Sequence, residues 1–247
     1  MGEILEIDNL TKSFDGNVIL NNISFKLKKG EVVVVLGPSG CGKSTFLRCI
    51  NGLETIDSGE IRLDDARIDN NKAELPRIRQ RIGMVFQSYD LFPHKNVLDN
   101  ITLAPVKVQK RNKKEAEEEA LLLLDRVGLR NKAKSYERQL SGGQKQRVAI
   151  VRSLIMHPEI LLFDEVTAAL DPEMVREVLE VILELAKEGK TMLIVTHEME
   201  FARAVADRII FMESGNIIEE STPKEFFSNP KTERAKAFIN TFHYDAK

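Results

Sequence analysis

The sequence predicts an α/β fold, a mostly parallel sheet flanked by helices, with a helical subdomain inserted into it. Three observations carry this. Val32–Leu36 and Ile160–Phe163 are unbroken apolar runs of strand length, the pattern of strands buried on both faces as in parallel sheets. Strand-like segments alternate with amphipathic helical ones, the order that builds such a sheet. Residues 88–157 carry no strong strand signal and read as largely helical.

Taken in order, Ile4–Leu10 alternates apolar and polar residues as a half-buried strand does, and Val18–Leu27 does so with a break at Asn21-Asn22. Lys29-Gly30 is a turn. A glycine-rich loop follows Val32–Leu36, and Lys43–Asn51 is expected as a helix. Glu60–Ile68 reads as strand and turn, so the expected fold includes an antiparallel β subdomain. Arg77–Gln87 begins basic and ends in a short strand, Gly83–Gln87, before a proline-containing loop around Ser88–Lys95. In Lys113–Val127, Ala116, Ala120, Leu123, Leu124 and Val127 share one helical face. Glu115 and Glu117–Glu119 cover the other, a solvated face rather than a binding tail. Pro172–Lys187 is a helix opened by an Asp171 cap and Pro at its first position. Met192–Thr196 and Arg208–Met212 read as further strands. The reading is one domain over 1–247, a core of 1–87 and 158–247 with the helical insertion 88–157.

The chain has 247 residues, 43% hydrophobic and 30% charged, enough for a sizeable core. A net charge of −2 argues against a dedicated nucleic-acid binder. No run of about 18 apolar residues is present to span a bilayer. Met1–Asp8 is acidic and lacks the order of a signal peptide, and Glu6 stands where myristoylation of Gly2 would need Ser or Thr. The expected location is the cytoplasm. On one helix Cys41 and Cys49 lie about 12 Å apart, too far for a disulfide, so both are expected to be reduced. Cys41 would sit at a helix N-terminus, where thiol pKa falls; a redox switch and a plain small side chain are both readings of it.

Gly37-Pro38-Ser39-Gly40-Cys41-Gly42-Lys43-Ser44 fits G-x-x-x-x-G-K-[ST] between a strand and a helix. Glycines let backbone amides curl around phosphate oxygens, and the next helix aims its positive end at the same anion. Lys43 is expected to reach the β and γ phosphates of ATP, and Ser44 to offer its hydroxyl to Mg²⁺. This is the P-loop NTPase arrangement. Ser39, Gly40, Cys41, Gly42 and Thr45 complete the expected phosphate contacts. A nucleotide site also needs a carboxylate for the metal and a group to activate water. Asp164, ending the buried run Ile160–Phe163, is the Mg²⁺ candidate, and Glu165 is the candidate base.

Leu140-Ser141-Gly142-Gly143-Gln144-Lys145-Gln146-Arg147 opens another helix. Ser141 can cap it, and the glycines leave its first amides accessible, a second anion site in one chain. A head-to-tail dimer accounts for both: Ser141, Gly142, Gly143 and Gln144 would cover the γ-phosphate held by the partner.

With these residues the chain resembles the ABC ATPase family over nearly its whole length. The resemblance implies that Phe14 stacks on adenine with Val18 nearby. It implies that Gln87 touches Mg²⁺ and joins the helical subdomain to the core. Ala169-Leu170-Asp171 is similar to the dimer-contact loop, with Asp171 as the contact, and His197 to the histidine that senses the γ-phosphate. Catalysis would then fall to Glu165, His197, Lys43 and Gln87. His94, His157 and His243 show no metal spacing and read as structural or surface residues. Val166 and Ala168 stand where the family usually has Pro and Ser. Neither change removes a catalytic group, but both bear on the rigidity of that turn and on one polar contact to the partner.

Short matches resemble the polar amino acid importers: Gly52-Leu53-Glu54, Leu103-Ala104-Pro105-Val106-Lys107-Val108, His197-Glu198-Met199, and Phe226-Phe227-Ser228-Asn229-Pro230 with Glu233-Arg234. The resemblance implies an ATP-hydrolysing homodimer on the cytoplasmic face of the inner membrane. It would work with integral membrane permease subunits and a substrate-binding protein, and without nucleic acid. Ser88–His94 is the expected docking surface. The alternative is a soluble ATPase of the same type serving an assembly complex.

Overall fold

The computed structural model describes residues 2–64, 66–68 and 75–242. Its elements run β1 (Glu3–Phe14), β2 (Asn17–Lys28), β3 (Val32–Leu36), α1 (Lys43–Ile50), β4 (Ser58–Leu63), β5 (Ala66–Arg67) and α2 (Leu75–Arg81). Then come β6 (Ile82–Val85), α3 (Val97–Lys107), α4 (Lys113–Arg126), α5 (Gly142–Leu154), β7 (Ile160–Asp164) and α6 (Pro172–Lys187). The chain ends with β8 (Thr191–Val195), α7 (Met199–Val205), β9 (Arg208–Glu213), β10 (Asn216–Ser221), α8 (Pro223–Ser228) and α9 (Glu233–Asn240). Contacts divide it into two units, one of residues up to Arg79 and from Gly189 onward, the other Gln80–Glu188.

In the first unit β2, β1, β4 and β5 form an antiparallel sheet in that order. β1 runs beyond the expected Ile4–Leu10 because Asn9 takes φ 52° and the register shifts between Ile7 and Leu10, a bulge that lets the strand bend and continue. A second sheet places β3 between β8 and β9, parallel to both, with β10 antiparallel on the outer edge of β9. β3 and β8 are buried at every position, as their apolar runs require. The registers Val35↔Val195 and Leu36↔Phe211 make the three parallel strands end at one edge. Gly37, Thr196 and Met212 all lie there.

The last two helices have local start signals. Thr222 and Glu225 form a capping box around Pro223 at the start of α8, and the Thr232 side chain caps α9. Glu219 of β10, 5% exposed, accepts from the amides of Lys231 (3.0 Å) and Thr232 (2.9 Å) and from the Thr232 hydroxyl (2.9 Å). Phe226 packs its ring on Phe211, 5.8 Å between centroids.

In the second unit β6 and β7 pair in parallel, Ile82↔Ile160 through Val85↔Phe163. Its helical core gathers Val97 and Ile101 of α3, Ala120 and Leu124 of α4, and Val148 and Val151 of α5. On α4 the expected inner face holds at Ala116, Ala120 and Leu124, followed by Val127, while Leu123 is only half-buried. Glu117 and Glu118 pair with Lys113 and Lys114 one turn back, as a solvated face does. Glu119 differs: it accepts from Arg111 and from His157 Nε2 at 2.9 Å. The His94 ring lies 6.0 Å from that of Phe92, and His243 lies outside the described residues. Among the described residues no helix is long and apolar enough to cross a membrane.

Glu219→Ala removes all the hydrogen bonds that tie the start of α9 to β10. The expected loss is on the order of 2 kcal/mol by urea denaturation, with amides of α9 exchanging earlier than those of β3.

Candidate functional site

In the first unit the loop between β3 and α1 follows a path closed to side chains. A Cβ on Gly37 (φ 152°) would lie 2.3 Å from the Met212 carbonyl oxygen. One on Gly42 (φ 105°) would lie 2.8 Å from the Ile19 carbonyl oxygen. Gly42 is also the N-cap of α1, which has no side-chain cap and no acid in its first turn. Its leading amides and dipole are thus presented to an anion without a resident carboxylate. Lys43 is 4% exposed, and its ammonium donates to the carbonyls of Gly37 (3.0 Å) and Pro38 (2.9 Å), bridging the loop from inside. Ser39 and Gly40 are exposed at the loop tip; Ser44 and Thr45 are half-buried.

Phe14 and Val18 flank the β1–β2 turn, 40% and 57% exposed. The Lys12 ammonium lies 4.5 Å from the centre of the Phe14 ring. Lys12 thus lies over the ring, while at 40% exposure part of the aromatic surface stays open to solvent, the kind of surface a base can stack on. His197 follows β8 by two residues, at the edge where β3 releases Gly37, and is half-buried. The Glu198 amide donates to the Thr196 hydroxyl at 3.0 Å, which turns the chain there.

Both cysteines are free and buried. Burial pushes the Cys41 thiol up, outweighing the pull of Lys43 toward the thiolate. Burial pushes Cys49 up to about 12. The redox-switch reading of Cys41 required a lowered pKa; desolvation in the loop reverses the sign.

In the second unit the pairing Val85↔Phe163 brings Gln87 and Glu165 to one edge, each two residues past the last pair. Asp164 closes β7 at 4% exposure. Glu165 takes φ 47°, a left-handed conformation that costs a non-glycine residue about 1 kcal/mol or more. A turn secures it, with the Ala168 amide donating to the Glu165 carbonyl (3.1 Å) and Leu170 to Thr167 (3.1 Å). Val166 is 5% exposed, so at this departure from the family the side chain is core; Ala168 is exposed. Asp171 begins α6 in extended conformation, exposed, with no cap hydrogen bond from its side chain.

Gln87 is exposed on a loop fastened to α5. Gln146, fully buried, donates to the Phe86 carbonyl at 3.1 Å. Arg152 donates to the carbonyls of Tyr89 (3.1 Å) and Asp90 (2.6 Å), and Asp90 itself is held at φ 47°. Burial draws the Arg152 pKa down while Asp90 opposes it; the guanidinium stays charged.

At the other end of α5, Ser141 and Gln144 form a capping box: the Gln144 amide donates to Ser141 Oγ (3.3 Å) and the Ser141 amide to Gln144 Oε1 (3.1 Å). Here the structure departs from the expectation of open amides. Gly143 N–H donates to the sulfur of Met174, 3.3 Å away on α6, because Met174 packs directly on the glycine backbone. Neither Met174 nor the Gln146 and Arg152 fasteners carries a sequence signal, since each acts on a residue 30 or more positions away.

The groups present suit a triphosphate and a hard cation. The glycine loop of the first unit is a cradle that a Cβ would fill, and it ends at the Ser44 hydroxyl; the second unit has its own oxygen donors of the kind Mg²⁺ takes in Gln87 and Asp164. A family model described as ABC transporter matches residues 20–168, which include the glycine loop, the Ser141 segment and Asp164-Glu165. The chain belongs to the ABC transporter family. It is 57% identical over 222 residues to the glutamine transport ATP-binding protein GlnQ of Geobacillus stearothermophilus, covering 90% of this chain and 92% of that one. It is 53% identical to the glutamate/aspartate import ATP-binding protein GltL of Escherichia coli K12, covering 96% and 98%. A dimeric ATP-binding cassette in a post-hydrolysis state with ADP and Pi superposes at TM-score 0.81, 34% identical, over 89% of this chain and 98% of that one. The expected P-loop NTPase fold is therefore the fold observed, and this ABC subunit binds and hydrolyses ATP.

Because burial raises both thiol pKa values, alkylation of the native ABC subunit by iodoacetamide is expected to be slow at pH 7.5. Its rate at Cys41 should keep rising beyond pH 9, where an ordinary thiol levels off, as read by peptide mass spectrometry.

Proposed function

We propose that this chain is the ATP-hydrolysing subunit of an importer for polar amino acids, working as a head-to-tail homodimer on separate membrane subunits. The observation that carries it is the glycine loop of β3 and α1, supported by the two relatives above, whose names specify amino acid transport or import. Those names cover glutamine and glutamate/aspartate, so the class is polar amino acids rather than one solute. A substrate-binding protein outside and permease subunits in the membrane complete the machine, and the chain lies against the cytoplasmic face of that membrane. The domain reading is a single ATPase domain over 1–247, with 88–157 as the signature subdomain.

In this reading the backbone amides of residues 39–45 hold the β and γ phosphates, and Lys43 leaves its loop carbonyls in part to meet them. Ser44, Gln87 and Asp164 would hold Mg²⁺, which when bound would supply positive charge to the phosphate groups. Glu165 accepts a proton from the attacking water, positioned by the strained turn at φ 47°. His197 senses the γ-phosphate, and Phe14 with Val18 takes the adenine. Ser141, Gly142, Gly143 and Gln144 close over the partner's γ-phosphate, and Asp171 makes the contact across the dimer. Phe92, 40% exposed beside the Gln87 loop, supports docking of a membrane-subunit helix at Ser88–His94; Leu91 belongs to the core instead.

Glu165→Gln keeps ATP binding and is expected to lower hydrolysis at least a hundredfold while accumulating an ATP-bound dimer. A variant turning over at the parent rate, by phosphate release, removes Glu165 as the base. Lys43→Ala is expected to abolish ATP binding in calorimetry. Ser141→Arg spares ATP binding by the monomer and blocks dimerisation; loss of monomer binding contradicts the trans role. Co-purification with integral membrane subunits is the expected outcome for an importer, and a soluble partner alone overturns it.

A further inference from the structure

The Gly143 amide is engaged before any partner arrives. Its N–H points at Met174 Sδ, 3.3 Å away, and one amide hydrogen makes one good hydrogen bond. The contact is close by construction: a Cβ on Gly143 would lie 2.9 Å from Met174 Cβ, and one on Gly142 would lie 2.8 Å from Leu170 Cδ2. Met174 of α6 and Leu170 just before it therefore lie directly on the backbone of the Ser141–Gln144 segment.

We propose that Met174 is an internal competitor for the γ-phosphate, holding the Gly143 amide in the single chain and yielding it when a second copy brings its nucleotide to the signature. This rests on the reading that Ser141–Gln144 serve the partner's ATP. The exchange has a direction. A thioether is a weak acceptor, whereas a phosphate oxygen is charged and forms hydrogen bonds roughly twice as strong as neutral ones. It also has a path. Methionine is unbranched, with three rotatable side-chain bonds, and can swing aside without moving the helix. Met174 lies three residues after Asp171, in the first turn of α6. The approach of a partner to Asp171 thus reaches the turn that carries the competitor. The effect is selectivity: a weak or misplaced anion does not displace the sulfur, and a γ-phosphate brought to Ser141–Gln144 by the second copy does.

The test uses the full chain carrying Glu165→Gln, in which ATP dimers accumulate, with dimer mass followed by light scattering as ATP is titrated. Met174→Leu keeps the volume and removes the acceptor, so the ATP concentration for half-dimerisation is expected to fall roughly three- to tenfold. Met174→Gln offers a stronger oxygen acceptor and is expected to raise it by a similar factor. General damage to folding moves both variants the same way, so opposite shifts are the signature of competition. Shifts in one direction, or none, overturn the proposal. Ser141→Arg in the same background separates the two readings. If it blocks dimerisation while both Met174 variants are silent, only the competitor role fails. If it leaves dimerisation intact, the trans reading of the signature fails.

Discussion

A phosphate held by backbone amides needs a backbone free of side chains, and that steric requirement organises this protein. At Gly37 and Gly42 an added Cβ would lie 2.3 and 2.8 Å from a carbonyl oxygen of a neighbouring segment. These carbonyls belong to Met212 and Ile19, so β9 and the β1–β2 hairpin form the walls that shape the loop. The loop is thus a product of tertiary packing as much as of glycine flexibility. The lysine that follows it is internal to the same construction, with its ammonium satisfied by two loop carbonyls. A charge buried in this way is tolerable because it is hydrogen-bonded, and it is already placed for an anion.

Parallel strand registers do the remaining placement. In one unit Val35↔Val195 and Leu36↔Phe211 align three strand ends, and in the other Val85↔Phe163 aligns two. Every candidate group at a strand end emerges from one of these two edges: Gly37 and His197 in the first, Gln87, Asp164 and Glu165 in the second. A one-residue slip in either register would turn each of these groups to the opposite side. Glu165 and Asp90 are both held in the left-handed region, a conformation that Asn9, Lys110 and His157 share elsewhere in the chain.

Much of this was legible in the sequence, for definite reasons. β3 and β7 announce themselves because strands buried on both faces leave no polar alternation. α6 matched its expected bounds because Asp171-Pro172 marks its start and an amphipathic stripe of Val178, Ile182 and Leu185 marks its face. β1 was read short because the bulge at Asn9 breaks the alternation at Leu10 while the strand continues. The start of α8 is a local signal in the sequence, the box of Thr222 and Glu225 around Pro223. The state of the Cys41 thiol was not legible, since a helix N-terminus is a local feature and desolvation is not. The same holds for Met174, Gln146 and Arg152, whose partners are distant in sequence.

The fastening of the Gln87 loop to α5 gives that helix a mechanical character. Its 13 residues span about 20 Å, with Gly142 at one end and Arg152 near the other. Bonds from Gln146 and Arg152 to the carbonyls of residues 86, 89 and 90 make loop and helix a single rod-like body. A tilt of such a rod by ten degrees carries one end about 3.5 Å relative to the other, by its length alone. An event at one terminus is therefore felt at the other as displacement rather than as a change in charge, the behaviour of a crank rather than a wire.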